Sequence, residues 1–296
     1  FLKTGGEAIA ACIRIARSYT GKDHVVQVGY NGWLNSLAAG GPVLPRQAGT
    51  SFDSGIPKCL SDLHHSCKWN DMEGIKKVYE EVNGNLAAIV IAADYAEMDK
   101  GVTYYKEVRE FADKKDVVLI YDEIVTGFRI ALGGVQEYFN VKPDLAVFSK
   151  GIANGMPISV YAGKKEVMKK CDKGNGVVIS STFGGETLSL AAAKAAITAY
   201  RKYNVIDHIR NQGKKLWESL NEIFEKHNMP IQVKGLWPCP AFTVKDGAPA
   251  NTISSFLSLA YKNGVSLYNV SYVNYSHKDK DIDETLQRLE KACKEF

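Results

Sequence analysis

Three stretches of this chain are apolar on every residue rather than on alternate ones: "LAAIVIAA" (86–93) and the cores of "DVVLIYDE" (116–123) and "LAVFS" (145–149). A strand with that pattern must be buried on both faces, and helices must supply the covering layers. The sequence between and around them has helical spacing. Residues 4–19 place Ile9, Cys12, Ile13, Ile15 and Ala16 on one stripe, opened by a capping-box pattern of Thr4 and Glu7. "DMEGIKKVYEEV" (71–82) and residues 102–114 and 186–202 read as further helices, and "HVVQVGY" (24–30) and "ISVYAG" (158–163) as further strands. The expectation is an α/β fold built on a mostly parallel sheet. After residue 203 the pattern changes to a helix over 207–226, short strands around 231–244 and 264–274, and a closing helix over 281–295. This predicts a large domain over 1–203 and a smaller α/β domain over 204–296.

Composition removes several classes of function. The 296 residues carry a net charge of only +4, with no Lys/Arg block of the kind that marks a nucleic-acid footprint. The densest basic run, "KKEVMKKCDK" (164–173), reads as a solvated helix face before a phosphate patch. Cysteines at 12, 59, 67, 171, 239 and 293 form no C-x-x-C pair, so free thiols in a reducing, cytoplasmic compartment are expected, without disulfides or structural zinc. His64, His65 and Cys67 resemble half of a metal site and lack the other half. No stretch is long and apolar enough to cross a bilayer. The sequence starts already inside what reads as structure, and we expect an N-terminal segment to precede it.

Ligands of parallel α/β sheets gather at the carboxyl ends of strands, and four features fall at such ends or at a helix start. Gly5 and Gly6 open the first helix, where free N–H groups and the helix dipole suit an anion, although a glycine-rich cap would look the same. Tyr30, after a strand, either stacks on a planar ligand or packs in the core. Asp122 and Glu123 end an apolar strand and would pair with a cationic ring nitrogen, an arginine or Mg²⁺. Lys150 ends the next strand, either as an ordinary charge or as an amine whose lowered pKa suits Schiff-base chemistry. Together they make up the parts needed to hold pyridoxal 5′-phosphate: a phosphate cradle, an aromatic stacker, an acid for the ring nitrogen and a lysine for the aldehyde. The glycine fingerprint of dinucleotide sites is absent.

The stretches "TGGEAIAACIRIARSYTGKDHVVQ", "VVLIYDEIVTGFRIALGGVQEYFNVKPDLAVFSKGIANGMPISVYAGKKEVM", "STFGG" and "NYSHKDKDIDETLQ" resemble the class III aminotransferases of PLP fold type I, within them the glutamate-1-semialdehyde aminomutase branch. The resemblance runs along the whole chain. It implies a large domain with a mostly parallel, seven-stranded-type sheet flanked by helices, and a smaller C-terminal domain. It implies Lys150 as the Schiff-base lysine and general base, Asp122 on the pyridine nitrogen, Val125 and Tyr30 on opposite ring faces, Gly5 and Gly6 on the phosphate, and Thr182 reaching the phosphate of the partner subunit in a homodimer. Glu123 would orient neighbouring polar groups. The chain departs from the family at Asn31, which replaces a histidine, at Ala92-Ala93, which replace Glu-Pro, and at Asn269, where the aminomutase branch carries a glutamate. These departures favour an aminotransferase acting on a small-molecule amino donor and a carbonyl acceptor, with aminomutase activity as the alternative. Arg46, Arg129, Trp33 and Tyr268 are candidates for substrate contact.

Overall fold

A computed structural model describes residues 1–34, 54–174 and 176–296. It divides into two compact units, Phe1–Asp94 with Lys100–Ala199, and Tyr95–Asp99 with Tyr200–Phe296. In the first unit the chain runs α1 (Gly5–Thr20), β1 (His24–Val28), the short α2 (Lys58–Ser61), β2 (His64–Cys67), α3 (Met72–Glu81), β3 (Leu86–Ala92), α4 (Gly101–Lys115), β4 (Val118–Asp122), the short α5 (Val135–Tyr138), β5 (Leu145–Phe148), β6 (Val160–Gly163), the short α6 (Lys165–Met168) and all but the last turn of α7 (Thr187–Lys202).

Among the described residues the sheet has six strands in the order β2-β1-β3-β4-β5-β6, where the resemblance implied a seven-stranded type. All neighbours are parallel except β5 and β6. Every residue of β3 and β4 is buried, which is what their unbroken apolar pattern requires. Helix α1 covers one face. Its start is set by the capping box: Thr4 N–H donates to Glu7 Oε2 at 2.7 Å and Glu7 N–H returns to Thr4 Oγ1 at 3.4 Å. Its buried stripe of Ile9, Cys12, Ile13 and Ala16 packs against Val25, Ala88, Val90, Ile120 and Val147 of the sheet. The helix ends at Gly21, whose left-handed φ of 69° lets its N–H close on Arg17 O.

The basic run at 164–173 lies mostly exposed, with Lys164 paired to the buried Asp144 at 2.7 Å. All six cysteines are free thiols, and no described helix is long and apolar enough to cross a membrane.

The second unit carries α8 (Val205–Lys226), β7 (Ile231–Lys234), β8 (Ala241–Val244), α9 (Thr252–Lys262) and α10 (Asp279–Glu295), with β7 and β8 antiparallel. Trp217, Phe224, Phe242, Phe256 and Leu289 form its core. The strands expected over 264–274 are not seen. The segment makes only a single bridge, Val270 to Ala241. Ser271 explains why: its Oγ accepts from Tyr268 N–H at 3.0 Å and donates to Tyr268 O at 2.8 Å, which diverts that backbone from a ladder.

Candidate active site

Asp122 is the last residue of β4 and Lys150 lies just past the end of β5, where the register sets Val147 beside Asp122. Asp122 is buried, and Ile124 N–H donates to its Oδ1 at 3.0 Å. Burial pushes its carboxyl up to about 6, against the pull of that N–H, of the Lys150 charge and of the Asn31 amide. Lys150 is exposed at its surface, yet surrounding protein desolvates its amine enough to lower the pKa, with Arg129 adding in the same direction and Asp122 opposing. Its φ of 44° is left-handed. A non-glycine residue held there costs of order 1–3 kcal/mol, and such strain gathers at functional sites.

The start of α1 abuts this pair. A Cβ on Gly5 would overlap the side chain of Ile124, the residue whose N–H holds Asp122, so any larger residue here would have to push Ile124 aside. The first N–H groups of α1 therefore open beside the acid, in the polarity that suits a phosphate. Tyr30 follows β1, half-buried, its phenol pKa raised by burial and by the Asp122 charge. Val125 is half-buried, and its carbonyl accepts from Arg129 Nε at 3.1 Å. Thr182 is exposed on the turn following β6 and α6. The structure thus brings Gly5, Tyr30, Asp122 and Lys150 to one end of the sheet and leaves Thr182 facing outward.

Glu123 does not share the task of Asp122. Its carboxylate accepts from Thr126 Oγ1, from Val135 N–H at 2.9 Å and from Gln136 N–H at 3.1 Å, and so caps α5. A Cβ on Gly134 would strike it. The two adjacent carboxylates therefore do not meet at one point, as a Mg²⁺ site would need. Glu123→Ala should cost about 2–4 kcal/mol in denaturant unfolding, because buried donors lose their acceptor. Burial raises the Glu123 carboxyl from 4.5 to about 7. The folded chain then holds a proton that the unfolded chain releases across this window. Stability relative to Glu123→Gln should therefore fall as pH rises from 4.5 to 7.

Of the substrate-contact candidates, Arg46 lies outside the described residues. Trp33 is 76% exposed and Tyr268, in the second unit, 64%. Asn269 uses its carbonyl to receive Phe242 N–H at 2.9 Å. His64 is no half-site for a metal: its two ring nitrogens face Gln27 and Arg17. Half-buried Arg17 and the buried His64 and Gln27 form a polar row leading to Asn31, invisible in the sequence because strand register brings them together.

The site has the features that pyridoxal phosphate needs. A glycine-floored helix start lies beside a buried acid, and a strained lysine of lowered pKa feels the charge of that acid. A mainly parallel sheet with this constellation at its carboxyl edge defines an α/β enzyme of the PLP-transferase fold. The chain belongs to the class III aminotransferases, the family described as "Aminotransferase class-III", whose sequence profile matches residues 1–293. It is 30% identical to the glutamate-1-semialdehyde 2,1-aminomutase of Persephonella marina, over 100% of this chain and 74% of that one. It is also 30% identical to the 3-aminobutyryl-CoA aminotransferase of Cloacimonas acidaminovorans, over 99% of this chain and 70% of the relative. The fold matches an omega-transaminase from Sphaerobacter thermophilus with a TM-score of 0.84 at 20% identity, covering 99% of this chain and 73% of that structure. The chain is thus an enzyme of a pyridoxal-phosphate-dependent family and spans about three quarters of the length of these relatives.

Proposed function

We propose that this chain is an aminotransferase moving an amino group between an amino donor and an aldehyde or keto acceptor, with residues 1–203 holding the cofactor and 204–296 forming a smaller domain. When bound, pyridoxal phosphate supplies an aldehyde that captures amines and a ring that takes up the electron pair released at the substrate carbon. Lys150 Nζ is the covalent attachment point and, once released, the base that carries a proton at that same atom. The Asp122 carboxylate keeps the proton on the ring nitrogen. Val125 and Tyr30 hold opposite faces of the ring, and the N–H groups of Gly5 and Gly6 hold the phosphate. Exposed Thr182 serves the partner subunit's phosphate in a homodimer. Free cysteines suit a cytoplasmic location.

The observation that carries this reading is the pairing of Lys150 with Asp122 across the ends of two adjacent strands, with the lysine pKa lowered as a nucleophilic amine requires. A second reading, an intramolecular amino shift of the aminomutase type, is favoured by the Persephonella marina relative. One experiment separates them. With an amino donor alone, an aminotransferase bleaches the cofactor's visible band and releases one carbonyl product per site. With glutamate-1-semialdehyde and no donor, an aminomutase turns over continuously. No bleaching with any donor, and no turnover with the semialdehyde, would sink both.

A further inference from the structure

A row of polar side chains crosses the α1 face of the sheet, where apolar residues are the rule. Arg17, in the last turn of α1, brings a guanidinium nitrogen to 3.3 Å from His64 Nε2. His64 Nδ1 lies 2.9 Å from Gln27 Oε1. Gln27 Nε2 lies 3.5 Å from Asn31 Oδ1, a long contact. Gln27, Asn31 and His64 are all buried.

The direction of this row is fixed by its outer end. A guanidinium only donates, so His64 Nε2 must accept, and the proton of the neutral ring sits on Nδ1. Burial, helped by Arg17, His65 and His24, lowers the His64 pKa to about 4, which keeps the ring neutral. Nδ1–H then donates to Gln27 Oε1, Gln27 Nε2 donates to Asn31 Oδ1, and Asn31 Nδ2 is left as the terminal donor. That nitrogen has no well-formed hydrogen bond within the chain, yet the Asn31 amide helps hold down the Asp122 carboxyl. β3 sets only Ala92 beside Asp122, which offers no side-chain donor. The other titratable groups facing Asp122 are Lys150 after β5, Tyr30 after β1 and Cys12 of α1.

We infer that Arg17, His64, Gln27 and Asn31 form a one-way donor relay that keeps Asp122 ionised toward the ring nitrogen of pyridoxal phosphate, with His64 and Gln27 as positioning residues that never touch the cofactor. The inference rests on the assignment of Asp122 to that nitrogen.

The test is the affinity for pyridoxal phosphate from pH 5 to 8, followed by the visible absorbance that appears on binding. In the wild-type chain affinity falls on the acid side as Asp122 takes up a proton. His64→Leu and Gln27→Leu should each move that acid midpoint up by about half to one pH unit, the worth of one lost hydrogen bond. The double variant should shift no further than either single one, because a broken relay cannot be broken twice. His64→Gln should restore the wild-type midpoint, since its amide can accept from Arg17 and donate to Gln27. Should His64→Leu fail to fold, Arg17→Met at the half-exposed outer end should move the midpoint in the same direction. An unmoved midpoint in the leucine variants (or in Arg17→Met, where it stands in for them), or a shift in His64→Gln as large as in His64→Leu, overturns the relay. A wild-type chain that binds no pyridoxal phosphate overturns the cofactor assignment instead.

Discussion

Lys150→Ala should reduce turnover by about 10⁴-fold or more, because it removes both the covalent attachment point and the proton carrier at one atom. The bound cofactor should also lose the visible band that depends on its link to the lysine amine. Lys150→Arg should be equally inactive. A guanidinium stays charged at any working pH and offers no nucleophilic nitrogen, so the surviving positive charge does not help. A small primary amine added to Lys150→Ala should restore part of the activity, since it supplies the missing base without the missing side chain. The fold should tolerate these changes. Lys150 is exposed, and its left-handed backbone is no harder for alanine to adopt than for lysine, so little stability is lost. Steady-state rates and absorbance spectra of the three proteins decide the matter. A variant within tenfold of wild type would remove Lys150 from the chemistry.

The position of that lysine was legible in the sequence because it depends on one local rule. An apolar strand of a parallel sheet ends where the chain meets the ligand edge, so the residue after "LAVFS" had to appear there. The same rule exposed Asp122, the free N–H groups of a helix start exposed the glycines of α1, and burial on both faces exposed β3 and β4. What escaped was set by register rather than by local pattern. β2, "HHSC", has neither an apolar run nor an alternation, and it is a strand because β1 gives it a hydrogen-bonding edge from Val25 to Val28. That pairing is also what brings His64 within reach of Gln27, 37 residues away in sequence. Helix α9 went unread for a related reason, since "TISSFLSLAYK" gains its stability by burying Phe256 and Ala260 against the core of the second unit. Read from the strand alone, the doublet Asp122-Glu123 is one acidic feature, and only the family resemblance gave Glu123 a separate orienting role; successive side chains at a strand end part company, and Glu123 turns away to cap α5.

Asp122→Asn should lower kcat/KM by about 10²–10³-fold, the usual scale for losing one electrostatic contact to a developing charge, while leaving the folded chain as stable or more stable near pH 7. The two effects have a single cause. Burial raises the Asp122 carboxyl from 3.8 to about 6, so the folded chain without cofactor disfavours the charged form more than the unfolded chain does. For a carboxylate with a raised folded-state pKa, its contribution to stability is greatest below the unfolded value and declines as pH rises through the folded one. Above pH 6 the ionised group is therefore a net cost to the fold. Asparagine keeps the same shape, its carbonyl can still receive Ile124 N–H, and it carries no charge to bury. It also cannot hold a proton on a ring nitrogen, so the bound cofactor loses its electron-withdrawing form. Activity and unfolding free energy measured side by side at pH 7.5 should thus move in opposite directions, or the first fall while the second stands still. A structural role would make both fall together. Activity within threefold of wild type would show that the ring nitrogen is held by something else. A charge retained where its neutral isostere would be the more stable choice is retained for its effect on a bound partner.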